Sequence, residues 1–218
     1  MTTNRLQAFS DGVFAVAITL LVFNLTVPNA ASGHLWRALR DEWPYFASYL
    51  VSFFVIGIIW VNHHTIFDRI ARVDRPLLFL NLVLLVWVVL IPFPTQLLAK
   101  YIQSGSDSHV AAAAYSGTMF LMSVAFSALW SYAVFSHDLL DERIDPRVAR
   151  SALPRFASGV AIYAVTIGVA FVNAVVCLAL HAVIALYYVF DQISTSDSPA
   201  AGAQDLPQPD QIRSPGAE

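Results

Sequence analysis

The residues with the most to say chemically sit in an apolar setting. Ser10 and Asp11 stand in the run Arg5-Leu-Gln-Ala-Phe9-Ser10-Asp11-Gly12-Val13-Phe14-Ala15-Val16-Ala17-Ile18-Thr19-Leu20-Leu21-Val22-Phe23. A carboxylate surrounded by hydrocarbon is costly unless it is paired or hydrogen-bonded. Candidate partners are few: the cluster Trp60-Val-Asn62-His63-His64 and, further on, Asn81. Hydroxyl, carboxylate, imidazole and amide at one depth make an interhelical hydrogen-bond network. The competing reading is local: Ser10 is a good N-cap, and Asp11 suits the positive end of a helix dipole.

What must position these groups is a set of long hydrophobic helices. Of 218 residues, 57% are hydrophobic and 12% charged, against about 25% charged in an average soluble domain. Mean hydropathy is +0.62. Lipid is therefore the expected solvent for most of the chain. The net charge of −3 carries no basic patterning for nucleic acid. A single cysteine, Cys177, excludes an internal disulfide. The N-terminal run begins with Asp11 and lacks a small-residue cleavage pattern, so it reads as a retained helix rather than a signal peptide.

Crossing about 30 Å of hydrocarbon takes roughly 20 helical residues. Five uncharged runs qualify, and the last, 156–190, would span about 52 Å as one helix. Splitting it near 172–174 gives six helices: 6–27, 43–67, 77–98, 109–135, 156–171 and 174–190. Residues 1–190 are thus expected to form one all-α integral membrane domain. The Ser-, Pro- and Ala-rich stretch 191–218 is expected to be a disordered cytoplasmic tail. Alternating helices put Arg5, Arg69, Arg72, Arg75, Arg143, Arg147, Arg150, Arg155 and Arg213 on one side and Arg37, Arg40 and Lys100 on the other. Positive residues stay inside, so both termini are expected in the cytoplasm of a multi-pass protein of the cell (inner) membrane. That topology brings Ser10, Asp11, His63 or His64, and Asn81 to similar depth. It also explains Arg69, Arg72 and Arg75 as an ordinary cytoplasmic loop rather than a voltage sensor.

On the first helix, steps of three and four align Phe9, Gly12, Val16, Leu20, Phe23 and Val27, with Thr19 at the border. Such a stripe faces lipid, packs in a core, or lines a pore. The periodicity leaves all three open.

The long match from Arg5 through Phe9-Ser10-Asp11 to Val22 resembles the first-helix signature of the bacterial branch of the lysosomal potassium-channel family, with Arg-x-x-x-Phe-Ser-Asp leading into an apolar helix. Trp60-Val-Asn62-His63-His64, Asn81 and Pro92-Phe-Pro94 support it. The resemblance implies six helices per subunit, a homotetramer and a central pore lined by helix 1. It implies a potassium-selective, leak-type channel in the lipid bilayer, with potassium as permeant ion and no cofactor. No Thr-Val-Gly-Tyr-Gly filter is present in the chain. Carried over, the pore and gate residues are Val16 as innermost ring, Thr19 as the threonine layer, and Leu20 and Phe23 as further apolar rings. Val16 stands where Ile or Leu is commoner and Phe23 where Leu is commoner, so the inner ring would be wider and the outer narrower. The interhelical polar network would comprise Arg5, Phe9, Ser10, Asp11, Trp60, His63 and Asn81.

Other chemistry finds little support. Adjacent His63 and His64 point about 100° apart on a helix and chelate one metal poorly. No nucleotide loop, nucleophile elbow or His-Glu-x-x-His motif occurs, so no enzyme is expected. The alternative function is a cation- or proton-coupled secondary transporter, which would want acidic groups near the midplane and paired broken helices.

Overall fold

The structure, a computed structural model, describes residues 2–136 and 139–196. It is all-helical. The helices are α1 (Thr3–Leu20), α2 (Leu35–Asp41), α3 (Trp43–Phe67), α4 (Arg75–Leu90), α5 (Pro92–Tyr101), α6 (Ser106–Phe135), α7 (Pro146–Ser151), α8 (Leu153–Ala170) and α9 (Ala174–Ser196). Five stretches are long and apolar enough to cross a membrane: Thr3–Asn24, Trp43–Phe67, Arg75–Tyr101, Ser106–Phe135 and Pro146–Ala170. A shorter apolar stretch follows at Ala174–Tyr188.

Local chemistry sets the boundaries. α1 runs from Thr3 to Leu20 and tightens into one 3-10 turn, Leu21–Asn24. It does not continue to 27 as the apolar run suggested. Val27 precedes Pro28, whose ring disfavours helical backbone in the residue before it. Val27 therefore lies beyond the helix that was to carry it. The third apolar run is broken too. Pro92 has no N–H to give the carbonyl of Val88, and the Ile91 N–H takes that carbonyl instead at 3.2 Å. α4 ends there and α5 begins, where one helix over 77–98 was expected. Asp74 caps α4 by accepting from the Leu77 N–H at 2.9 Å. Gly105, with φ +57°, makes the turn into α6 in a conformation that favours glycine.

α8 and α9 are separated by a short turn closed by Asn173. Its Oδ1 accepts from the N–H groups of Val175 and Val176 at 2.9 and 3.0 Å. α9 continues to Ser196, past the expected end at 190. The remainder of the expected tail, 197–218, lies outside the described residues. Two short helices, α2 and α7, occupy segments that read as loop and linker.

α6 is the central stave. Over half of its apolar window (56%) is buried, against 17–33% for the other four long stretches. Ala111, Ala112, Ser116 and Ala125 keep its surface small, and α4, α5, α8 and α9 pack on it. Lipid tails are as apolar as leucine, so close packing and hydrogen bonds hold such helices together rather than expulsion from water. α1 packs on α3, α4 and α5 at one edge of the bundle.

Polar ties show the helices alternating in direction. Tyr132 near the end of α6 donates to Asp74 at the start of α4 at 2.5 Å. Ser127 of α6 donates to the Phe156 carbonyl of α8 at 3.1 Å. At the same end the Thr3 hydroxyl donates to the Ala71 carbonyl at 3.3 Å. The Ala71 N–H in turn donates to the Leu139 carbonyl at 2.8 Å. One end of the bundle thus collects Arg5, Arg69, Arg72, Arg75, Arg143, Arg147, Arg150 and Arg155.

Candidate functional site

α1 has two faces of opposite character. Leu6, Ser10, Phe14, Ala17, Leu21 and Asn24 are buried against the rest of the chain. Phe9, Gly12, Val16, Thr19, Leu20 and Phe23 are exposed, Val16 by 54% and Phe23 by 75%. Side chains of this size left bare along a helix form an unpartnered apolar face. Thr19 is the polar group on it. Its hydroxyl donates back to the Ala15 and Val16 carbonyls, both at 2.9 Å. Its one proton is used inside the helix, and the oxygen lone pairs remain for an acceptor role outside.

The buried face carries a relay. Ser10 Oγ donates to the Leu6 carbonyl at 3.0 Å and accepts from Asn81 Nδ2 at 3.0 Å. Asn81 Oδ1 accepts from His63 Nε2 at 2.8 Å. The direction of each bond forces the next: a hydroxyl that donates must accept from the amide nitrogen, so the amide oxygen is left for the imidazole. His63 therefore carries its proton on Nε2. Its ring stacks on Phe67 at 4.4 Å and meets Phe14 edge-on at 5.3 Å. All three polar residues are buried, and together they join α1, α3 and α4.

Asp11 belongs to a second, outer row. Trp60 Nε1 donates to Asp11 Oδ1 at 2.8 Å. One turn towards the arginine-rich end, Gln7 Nε2 meets His64 Nδ1 at 2.7 Å and Asp68 Oδ1 at 3.4 Å. His64 Nε2 lies 3.5 Å from Asp68 Oδ2. The two adjacent histidines thus serve different rows, as their 100° separation requires. Arg5 and Phe9 join neither row. Both are exposed, and the Arg5 side chain makes no hydrogen bond or ion pair with the described residues. Gln7 and Asp68 escaped sequence reasoning, although steps of four from Asp11 and from His64 point to them.

The outer end of α1 is tied down as well. Asn24 Nδ2 donates to the Pro92 carbonyl at 3.0 Å, at the break between α4 and α5.

These features define a helical membrane protein whose first helix is anchored on one face and open on the other. The family described as endosomal/lysosomal potassium channel TMEM175 matches residues 5–92. A potassium channel of Streptomyces collinus is 50% identical over 200 residues, which is 91% of this chain and 97% of that one. A potassium channel of Chamaesiphon minutus is 35% identical, with 85% and 93% covered. The crystal structure of a lysosomal potassium-selective channel TMEM175 homologue from Chamaesiphon minutus matches with a TM-score of 0.79 at 34% identity, covering 87% of this chain and 97% of that one. The chain belongs to the TMEM175 family, as a bacterial-type member.

Proposed function

We propose that this chain is one subunit of a potassium-selective leak channel, and that the open face of α1 lines its pore. The observation that carries the reading is that face itself: Val16, Leu20 and Phe23 bare, with the Thr19 oxygen beside them. One helix encloses nothing. The family resemblance supports a homotetramer of six-crossing subunits, with α9 as the sixth crossing, and four copies brought together on these faces would leave a path along their common axis. Both termini and the arginine-rich end face the cytoplasm of the cell (inner) membrane, by the positive-inside rule. The relatives named as potassium channels support the permeant ion.

The apolar rings at Val16, Leu20 and Phe23 resist wetting and set the barrier to conduction. The Thr19 layer offers oxygen to a partly dehydrated ion. No charged side chain lies on α1 beyond Asp11, so selectivity comes from dehydration and oxygen coordination rather than fixed charge. The Ser10–Asn81–His63 relay and the Asp11–Trp60 pair hold the tilt of α1 against α3 and α4.

The test is flux through purified protein in liposomes, with subunit number measured by native mass spectrometry. Passive potassium flux exceeding sodium flux, changed by Leu20→Ala, with four chains per particle, is the expected result. Flux that saturates and needs a co-transported solute would turn the reading to a coupled transporter.

A further inference from the structure

At the arginine-rich end, α1 is joined to the rest of the chain across open space. A cleft of about 690 Å³ separates its first turns from the α3–α4 loop, lined by Thr2, Asn4 and Gln7 on one side and Phe67, Asp68 and Arg72 on the other. Hydrogen bonds bridge it. The Thr3 hydroxyl donates to the Ala71 carbonyl at 3.3 Å, and Gln7 Nε2 donates to Asp68 Oδ1 at 3.4 Å. The position of segment 68–71 therefore decides where α1 starts. That segment is pinned from its far side. Ile70 and Leu140 form an isolated antiparallel bridge. The Ala71 N–H donates to the Leu139 carbonyl at 2.8 Å, and the Asp141 N–H donates to the Arg69 carbonyl at 3.0 Å. The Arg72 N–H reaches the same Leu139 carbonyl at 3.3 Å. The Arg72 N–H and the Ala71 C=O belong to one planar peptide and point to opposite sides of it. One rigid plane thus holds the α6–α7 linker on one edge and the Thr3 hydroxyl of α1 on the other.

We infer that this bridge is a clasp through which the α6–α7 linker governs the start of α1. Closed, it holds the loop, and through Thr3 and Gln7 it holds α1 where it stands. Open, it frees the loop, and the start of α1 settles into the cleft. That movement draws the open face of α1 away from the neighbouring copies and widens the path between them. The coupling rests on the fold alone, and its effect on flux rests on the pore proposed above.

The test locks the clasp. Ile70 and Leu140 face each other as a non-hydrogen-bonded pair, because the bonds of the bridge run between their neighbours. Such pairs stand about 4.5 Å apart at Cα, within reach of a disulfide. Ile70→Cys with Leu140→Cys, in full-length protein carrying Cys177→Ala, is reconstituted and compared oxidised and reduced. Amide hydrogen exchange in the first two turns of α1 reads the coupling, and potassium flux reads its consequence. Oxidation should slow that exchange about tenfold, the worth of two modest hydrogen bonds. It should lower flux several-fold, and reductant should reverse both. Ile70→Cys alone should show neither response. Adding Thr3→Val and Gln7→Leu, which cut the ties across the cleft, should abolish both responses while the disulfide still forms. Should that variant not fold, the oxidised and reduced states of the lock decide alone. A lock that leaves exchange in α1 unchanged would make the bridge a plain brace and overturn the proposal. Slowed exchange beside unchanged flux would overturn it too, by denying the clasp any hold on the pore. Absence of flux from every variant and from the unmodified protein would remove the channel reading instead, and exchange in α1 would still decide the coupling.

Discussion

Asn81 has only one orientation that satisfies its neighbours. Turning its amide over would set its oxygen against the Ser10 lone pairs and its NH2 against the His63 N–H. Removing it leaves a buried imidazole N–H without an acceptor, at about 1–3 kcal/mol. Asn81→Ala should therefore lower stability by that amount, read as a fall in the thermal unfolding midpoint in detergent. Ser10→Ala should also cost about 1–3 kcal/mol, because it leaves the buried Asn81 Nδ2–H without its acceptor, with alanine's helix preference offsetting a small part. Thr19→Ala should keep conduction while lowering the potassium-to-sodium flux ratio about two- to tenfold, the worth of one modest hydrogen-bonding group. Flux under matched gradients of the two ions checks it. At this scale the sequence was partly legible. Ser10, Asn81 and His63 announced themselves as polar residues in hydrocarbon at one depth. That Asp11 would pair with Trp60 in a separate row was not, because which side of α1 faces α3 depends on how the helices are rotated. The exposure of Arg5 has the same origin.

That the long apolar runs form helices on the scale of a membrane crossing was legible because the hydrocarbon core dictates it; where each helix ends, and the interruptions inside a run, were less so. Pro92 and Pro94 were visible, but the continuous hydropathy of 76–99 masked the break they make. The break matters to α1, since it presents the Pro92 carbonyl that Asn24 holds. Asn24→Leu should unfasten the outer end of α1, costing about 0.5–1.5 kcal/mol. It should change total flux while leaving in place the ion preference proposed for the Thr19 layer. Thermal unfolding and paired potassium and sodium fluxes on the same preparation measure both. The α8–α9 turn shows the converse. The length of the run 156–190, too great for one crossing, placed a boundary near 172–174, and in the structure Asn173 closes it. Asn173→Ala should cost about 1 kcal/mol, again read from the unfolding midpoint.

For the whole molecule, the central question is what covers the open face of α1. In one chain it is bare hydrocarbon at the edge of the bundle, and lipid, a neighbouring subunit or a water-filled path each satisfies it differently. No property of a single sequence distinguishes these, since a stripe at helical spacing serves all three. Solvent access does. Cys177, the sole cysteine, is buried and is first replaced by alanine. Val16→Cys, Leu20→Cys and Phe23→Cys are then compared with Ala17→Cys on the buried face, each reconstituted and exposed to a small, charged, membrane-impermeant thiol reagent during potassium flux. The account predicts rapid block at the three open-face positions, slowed by competing permeant ion, and none at Ala17→Cys. Reagent-insensitive flux at all three positions would contradict it, and would place that face against lipid or a packed neighbour.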